Sequence, residues 1–470
     1  MKLDIKDKIL EKIGAVADKN EFQVYVIGGY VRDFILANNA PKAGADIDIM
    51  VMGDAVKFAE LTATDFESKL DAVYKNFGTA LLKTYEEFAE YKIEFASARK
   101  ESYNRNSRKP EVEAANLEED ISRRDFTINT LAVSLNKSTY GELTDLYEGV
   151  QDIKNRIIKT PLDPQKTFDD DPLRIMRAIR FASKLNFEID QNTYLGIIAM
   201  RNRLKDNEVV SIERVTDEFL QILMTPKPSV GLDIMFKTGV MAIVFPEISI
   251  MAGIEQRKDY HHKDVFYHTL QVVDNICEKT DNLWLRFAAL VHDIAKPKTK
   301  RFVEGTGWTF HGHEEAGARM MKKIFTRMKL PFSQLPYVEK LVRMHLRPIP
   351  LAKDEVTDSA IRRLAAEAGE DLVDLLTLCR ADITSKNIAK VSKFFKNYEI
   401  VEKKIVEVQE KDNLRSFQSP VKGEEIMEYF KLPPSREVGV IKKKIEEAIL
   451  EGIIPNEYEA ARKFMEEMQN

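Results

Sequence analysis

Asp46 and Asp48 stand two apart in residues 45–51, an alternating stretch that reads as a β-strand. Both carboxylates then project from one face while Ile47 and Ile49 enter the core. Carboxylates at that spacing suit hard Mg²⁺ ions, which take oxygen ligands and bridge to substrate phosphates. Upstream, residues 24–27 are a short apolar run broken by Gly28-Gly29, after which Val31, Phe34 and Ile35 follow at helical spacing. Paired glycines let the backbone approach a phosphate chain, and the free N–H groups of a helix N-terminus favour negative charge. An anion site beside a metal strand predicts a nucleoside triphosphate site.

Three further segments must position groups around it. Residues 91–95 read as a strand with Lys92 and Glu94 on one face; if it lies beside the Asp46 strand, Glu94 becomes a third carboxylate. In DISRRDFTINTLAV, Arg123, Arg124 and Asp125 precede a predicted helix carrying Asn129. An arginine pair can neutralise triphosphate charge, and an aspartate can accept from ribose hydroxyls. Residues 167–189 begin with three acids and Pro172, a helix-opening pattern, so Asp171 and Arg174, three apart, are expected to face one side. Residues 98–119 are polar without a period and are predicted to be a loop or flap over the active site.

Gly28-Gly29, Val31-Arg32-Asp33 and Asp46-Ile47-Asp48, in that order, resemble the head domain of the tRNA nucleotidyltransferase and poly(A) polymerase family. Arg123-Arg124-Asp125 is similar to that family's second motif, and Asp171, Pro172 and Arg174 to its base-reading motif. The resemblance implies catalysis by Asp46, Asp48 and Glu94 with Mg²⁺ on the aspartates. It implies nucleotide binding by Gly28, Gly29, Arg32, Arg124, Asp125, Asn129, Asp171, Arg174 and Arg177. Asp170 stands where relatives usually carry glutamate, and it takes no assigned role. The base-reading pair has a chemical logic. Cytosine and adenine both present an amine donor beside a ring-nitrogen acceptor, so one carboxylate and one guanidinium serve both. Uracil and guanine reverse that polarity and would leave buried groups unpaired. Family members that add only cytidines tend to lack a flexible loop before the arginine motif; nothing looks deleted here, which favours full CCA addition.

All seven histidines fall between His261 and His345. His292 and Asp293, adjacent on a predicted helix, can clasp one metal completed by His268 and Asp382, while His313 and His345 could serve a second ion. This pattern resembles the HD phosphohydrolase superfamily, with Lys296 and Pro297 matching its HDxxKP extension. A divalent transition metal such as Ni²⁺ or Mn²⁺ is expected there. His261, His262 and His311 have no assigned role.

The 470 residues, 44% hydrophobic and 31% charged, are those of a soluble globular chain of several domains. A net charge of −5 leaves room only for a local basic face. Cys277 and Cys379 cannot build a disulfide framework, so a reducing cytoplasm is expected. The N-terminal residues read as an amphipathic helix without the apolar core of a signal peptide, and no membrane-spanning run occurs. The fold class expected is α+β. A small mixed-sheet head (1–150) precedes an all-helical neck and body (151–254), a helical HD domain (255–387) and a helical tail (388–470). The tail resembles the part of HD-containing CCA-adding enzymes that grips tRNA, although its run Lys442, Lys443 and Lys444 reads equally as a solvated face. The expected partners are tRNA, CTP and ATP, with no membrane; the sequence does not set an oligomeric state. The alternatives are a poly(A) polymerase, or an HD phosphohydrolase whose head only docks tRNA.

Overall fold

The computed structural model describes residues 1–38, 46–86, 89–102, 111–206, 208–254, 264–305, 307–351, 357–384, 388–412 and 419–468. Two compact units emerge, Met1–Val244 and Phe245–Asn470. His261 and His262 lie outside the described residues, as do the middle of the expected flap and Ala45.

The first unit is built on strands β1 (Gln23–Ile27), β2 (Asp46–Met52), β3 (Leu70–Tyr74), β4 (Thr79–Glu86), β5 (Ala89–Ser97), β8 (Ala132–Ser134) and β9 (Leu143–Thr144). They form one sheet in the order β3-β4-β5-β2-β1-β8-β9. The β2–β5 pairing is parallel and the rest antiparallel, so the sheet is mixed. Helices α1 (Lys8–Lys19), α2 (Gly29–Leu36) and α3 (Ala55–Asp65) accompany it. Asp7 caps α1 by accepting from the Ile9 N–H, and Ile9, Leu10, Ile13, Val16 and Ala17 form its buried stripe. Strand β2 alternates as its sequence demands: Asp46 and Asp48 outward, Ile47 and Ile49 buried.

Three local expectations are corrected. The ends of the 98–119 segment pair as a hairpin, β6 (Arg99–Ser102) with β7 (Glu111–Ala114), leading into α4 (Leu117–Ser122), where Asn116 and Glu119 make a reciprocal capping box. No α-helix follows Asp125. Thr127–Asn129 is a single 3₁₀ turn, because the chain must enter β8 three residues later. Pro172 opens a helix within residues 167–189 as the sequence predicts, and Asp171 stands just outside it. Helix α5 (Gly149–Asn155) is followed by α6 (Pro164–Asp170), the chain turns extended at Asp171, and α7 (Leu173–Leu185) restarts after Pro172. The neck is not wholly helical: β10 (Ile157–Ile158) and β11 (Glu188–Ile189) pair in parallel. Helices α8 (Gln191–Met200), α9 (Ile212–Leu223), α10 (Pro228–Lys237) and α11 (Met241–Val244) finish this unit.

The second unit opens with α12 (Pro246–Ser249), α13 (Val265–Cys277), α14 (Leu283–Val291) and α15 (Lys296–Thr299). A small hairpin, β12 (Arg301–Val303) with β13 (Gly307–Thr309), interrupts the expected all-helical HD region. Then come α16 (His313–Met328), α17 (Leu335–Met344), α18 (Pro348–Leu351), α19 (Asp358–Ala368), α20 (Leu372–Ala381) and α21 (Ile388–Asp412). The tail helices α22 (Gly423–Phe430), α23 (Arg436–Leu450) and α24 (Tyr458–Glu467) share a small core of Val421, Ile426, Ile445, Ile449 and Met465. Among the described residues no helix is long and apolar enough to cross a membrane.

Candidate active site and metal cluster

In the first unit, the register of β2 against β5 places Asp48 directly opposite Glu94, and Asp46 opposite Lys92. Parallel neighbours carry side chains to the same face at a given level, so the strands alone bring the three carboxylates together. The turn after β1 joins them. Ile27 pairs with Asp48, and the next residue, Gly28, has φ +68°, a conformation L side chains rarely adopt. A Cβ on Gly28 would lie 3.6 Å from both Asp48 Oδ2 and Arg124 Nη1, so this turn, the carboxylate and the guanidinium meet at one point. Desolvation raises the Asp48 pKa, with Arg124 opposing and Asp46 adding to the rise; desolvation and Asp48 likewise raise Glu94. Carboxylates that push one another toward the neutral form are a donor set whose charge a divalent cation would relieve.

Asp120, absent from the sequence-level site, organises the arginine pair. Arg123 donates to its Oδ1 at 2.7 Å and Arg124 to its Oδ2 at 3.1 Å, and the carboxylate is only 1% exposed. Burial alone would raise Asp120, but Arg124 and Arg123 outweigh it and hold the carboxyl below its ordinary value. The signal was present: Asp120 sits three and four residues before the arginines, the spacing of one helical face. The Nε of Arg124 is buried without a hydrogen-bond partner.

Arg32, Asp125 and Asn129 do not line the open face. Arg32, 3% exposed, donates to Asn129 Oδ1 at 2.8 Å and to Asp33 at 2.7 Å. Asn129 donates to Asp125 Oδ1 at 3.0 Å, the Phe126 N–H adds a second bond to that oxygen, and Arg177 donates twice to Oδ2, at 2.8 and 2.6 Å. A carboxylate offers about four lone-pair directions, and those of Asp125 are taken. It serves as a buried anchor for Asn129 and Arg177. Its pKa is lowered, since Arg177 and Asn129 outweigh the burial. Phe181 underlies this layer, with the guanidinium carbons of Arg32, Arg177 and Arg180 at 5.1, 5.5 and 4.5 Å from its ring centroid. Arg177 remains about a third exposed and is steadied on its other side by Glu218, which Arg180 also contacts at 2.6 Å. Glu218, buried on the inner face of α9 among Val215, Phe219 and Ile222, was also missed; a carboxylate on an apolar stripe was its signal.

Asp171 and Arg174 lie at the break between α6 and α7 and make no ion pair with each other. Asp171 Oδ1 accepts from the Leu173 N–H at 3.1 Å, and its Oδ2 is 3.4 Å from Arg214. Arg174, 8% exposed, donates to the Arg123 carbonyl at 2.7 Å, which ties the base-reading segment to the arginine motif. Burial raises the neighbouring Asp170 carboxyl, against the pull of Arg174.

In the second unit the metal ligands gather from helix ends. His268 lies in α13, and His292 caps α14 with Asp293 in the turn beyond rather than within a helix. His313 opens α16, while His345 and Asp382 cap α17 and α20. Ligand atoms of His268, His292 and Asp382 lie within 4.8 Å of one another, and so do those of Asp293, His313 and His345. Asp293 keeps the expected company of His268 and His292 through one oxygen and reaches the second set through the other. Its Oδ2 is 3.2 Å from His292 Nε2 and 3.7 Å from His268 Nε2; its Oδ1 is 3.2 Å from His313 Nε2 and 3.9 Å from His345 Nε2. Lys296 donates to Oδ2 at 2.6 Å.

Tautomers follow from the partners. The Nδ1 of His292, His313 and His345 faces the carbonyls of Ala289, Phe310 and Val342 at 2.8, 2.8 and 2.6 Å. A carbonyl only accepts, so Nδ1 carries the proton and Nε2 offers its lone pair inward. The Nε2 atoms of His313 and His345 then face each other at 3.3 Å, and His292 Nε2 is buried without a hydrogen bond. Lone pair against lone pair is a repulsive arrangement that a bound cation would resolve, so these residues fit a metal pair. Burial alone would lower His292, yet without a cation Asp293 and Asp382 hold it up at about 10, so its Nε2 takes a proton that a bound metal would displace; burial and that charge press His345 down to about 3. His311 is exposed and outside both sets.

Residues 24–159 match the family described as the poly A polymerase head domain. Residues 186–251 match a probable RNA and SrmB-binding site of polymerase A, and 265–387 the HD domain. The A-adding tRNA nucleotidyltransferase of Deinococcus radiodurans is 33% identical over 272 residues, 57% of this chain and 60% of that protein. A second A-adding relative, from Aquifex aeolicus, is matched over only 32% of its length. The multifunctional CCA protein of Acidovorax ebreus is 32% identical over 329 residues, 69% of this chain and 72% of that protein. Among solved structures, the Bacillus stearothermophilus CCA-adding enzyme in complex with CTP superposes with a TM-score of 0.67 at 20% identity, covering 98% of this chain and 97% of that one. The Thermotoga maritima CCA-adding enzyme complexed with tRNA gives 0.59 at 20% identity, covering 98% and 95%. At these identities the likeness is one of fold.

Proposed function

Because the chain belongs to the tRNA nucleotidyltransferase and poly(A) polymerase family, we propose that it adds CCA to the 3′ end of tRNA, taking CMP from CTP and AMP from ATP. The observation that carries this reading is the register placing Asp48 opposite Glu94, beside the Gly28 turn and Arg124. Mg²⁺ held by Asp46 and Asp48 with Glu94 would supply charge neutralisation at the α-phosphate and the departing pyrophosphate. The remaining work falls to the chain. The α2 N-terminus and Arg124, whose Nη1 lies at the Gly28 turn beside Asp48, receive triphosphate oxygens. Arg177 is held in place by Asp125 and Glu218 and offers its exposed edge to the nucleotide. Asp171 accepts from the exocyclic amine of cytosine or adenine while Arg174 donates to the ring nitrogen; the bonds to Leu173 N–H and the Arg123 carbonyl fix the template before the base arrives. Cytoplasmic location accords with the free Cys277 and Cys379.

Full CCA addition is supported by the multifunctional relative, which is covered over more of its length than the A-adding ones. The test uses tRNA lacking its last three, two or one nucleotides, each with a single NTP, followed by sequencing of the 3′ ends. CTP should extend the first two substrates and ATP only the last. Use of ATP alone would make this an A-adding enzyme, and long A-tails on unrelated RNA would make it a poly(A) polymerase.

The facing Nε2 atoms of His313 and His345 favour a second activity. The HD region acts as a metal-dependent phosphohydrolase on phosphates or cyclic phosphates at RNA ends, with a borderline metal such as Ni²⁺ or Mn²⁺ on its imidazoles. Clearing a blocked end would restore the 3′-hydroxyl that the head requires.

A further inference from the structure

The β12–β13 hairpin exposes aromatic surface that its own fold does not use. Phe302 pairs directly with Trp308 across the ladder, so both rings stand on one face, meeting edge-on at 5.4 Å. They are nevertheless 65% and 44% exposed. Lys300 Nζ rests 4.5 Å over the Trp308 ring, Lys298 and Arg301 are exposed alongside, and Glu304 is the one acid between residues 298 and 309. Both roots of the hairpin are bonded to the metal ligands. On one side Lys296 donates to Asp293; on the other the Phe310 carbonyl accepts from His313 Nδ1.

We propose that this hairpin is a base-stacking platform for a single-stranded RNA end. Phe302 and Trp308 take unpaired bases on their faces, Lys298, Lys300 and Arg301 hold the flanking phosphates, and the terminal phosphate is delivered to the Asp293 cluster. Open aromatics interleaved with basic residues are what sequence-tolerant single-strand binding requires. A protein-docking patch would instead be depleted in lysine at its centre. Only the destination of the phosphate rests on the phosphohydrolase reading; stacking does not.

The chain has two tryptophans, and Trp284 is packed between Phe287 and Phe325, so Trp284→Phe leaves Trp308 fluorescence as a direct reporter. The probes are an eight-residue oligoadenylate and an abasic strand of equal length. The oligoadenylate should quench Trp308 and bind about tenfold more tightly than the abasic strand, and Phe302→Ala should weaken its binding by about the same factor. CTP incorporation into trimmed tRNA should stay unchanged in Phe302→Ala. Absence of quenching, or equal binding of the abasic strand, overturns the platform and leaves the patch to a protein partner. Should Trp284→Phe unfold, ¹⁹F NMR of the 5-fluorotryptophan-labelled parent separates the two indoles. Quenching without phosphate hydrolysis under any metal would keep the platform and remove the phosphohydrolase reading; hydrolysis without quenching would do the reverse.

Discussion

Asp120 holds Arg124 by a bond of 3.1 Å from Nη2 to Oδ2, and this buried carboxylate directs the guanidinium toward Gly28 and Asp48. The proposed triphosphate contact is therefore only as well placed as Asp120. Asp120→Asn should raise KM for both CTP and ATP and lower stability by about 2 kcal/mol, the scale of a charge-assisted hydrogen bond. Steady-state kinetics and urea unfolding read the two effects. Unchanged KM for both nucleotides would separate Arg124 from the triphosphate.

Asp120 and Asp125 also set an acid limb. Both carboxyls are held below their ordinary value of 3.8, so the stability they contribute is complete above that pH. It is lost as pH falls through their lower native values, because the unfolded state then binds the extra protons. The parent should lose stability steeply below about pH 4, and Asp120→Asn less steeply. Equal slopes for the two proteins in acid titrations of unfolding would show that the arginine clamp does not survive in solution.

How much of this was legible beforehand depended on whether the deciding force was local. The Asp46 and Asp48 face followed from strand alternation, a property of neighbouring residues. The meeting of Asp48 with Glu94 needed a parallel pairing across 46 positions, which the sequence could pose only as a condition. For Asp125 the sequence offered a carboxylate beside arginines, but its bonds to Asn129 and Arg177 come from tertiary packing that no local pattern carries. The helix opening at Pro172 was legible because proline acts locally: it starts α7 and keeps Asp171 extended before it. For Lys442 and Lys443 the solvated-face reading gains support from their i,i+4 contacts with Glu446 and Glu447, which partly neutralise the basic run.

Asp46→Ala and Asp48→Ala should each abolish incorporation of CTP and of ATP while tRNA binding persists. Removing a preorganised charge-stabilising group costs about 4 kcal/mol or more in the transition state, several orders of magnitude in rate. Single-turnover kinetics beside a filter-binding assay would distinguish lost chemistry from lost substrate. Near-normal CTP addition by either variant would remove that aspartate from the mechanism.

Base choice should rest on Asp171 and Arg174. Arg174→Ala should admit UTP and GTP more readily, and Asp171→Ala should do so with a lower rate, each losing one edge contact worth about 1–3 kcal/mol. Arg174 also bonds the Arg123 carbonyl, so some loss of stability should accompany its removal. Discrimination ratios, being internal to each variant, are insensitive to that loss. If both variants reject UTP and GTP as the parent does, base selection lies elsewhere.

Asp293 is the one ligand shared by the two HD sets, one oxygen turned to each, and this makes the metal count a sharper test than activity. A bridging carboxylate couples two ions at close range, as in two-metal hydrolytic sites. The parent, dialysed against Mn²⁺ or Ni²⁺, should retain about two ions per chain by mass spectrometry of the acid-digested metal. Asp293→Ala should lose both, because it gives an oxygen to each set, whereas His313→Ala should lose one, because His268, His292, Asp382 and the Asp293 Oδ2 all remain. Hydrolysis of 2′,3′-cyclic AMP and p-nitrophenyl phosphate should vanish in Asp293→Ala, and CTP addition should not, since the head's ligands lie in a separate unit. The facing imidazoles sharpen the expectation further. With no ion between them, His313 and His345 would need a shared proton to relieve their lone pairs, which burial of His345 opposes. Metal-free protein should therefore unfold at lower temperature than loaded protein, and His345→Ala should shrink that difference. If the parent binds no metal, and Asp293→Ala matches it in both hydrolysis and thermal unfolding, the histidines serve only to pack helix ends.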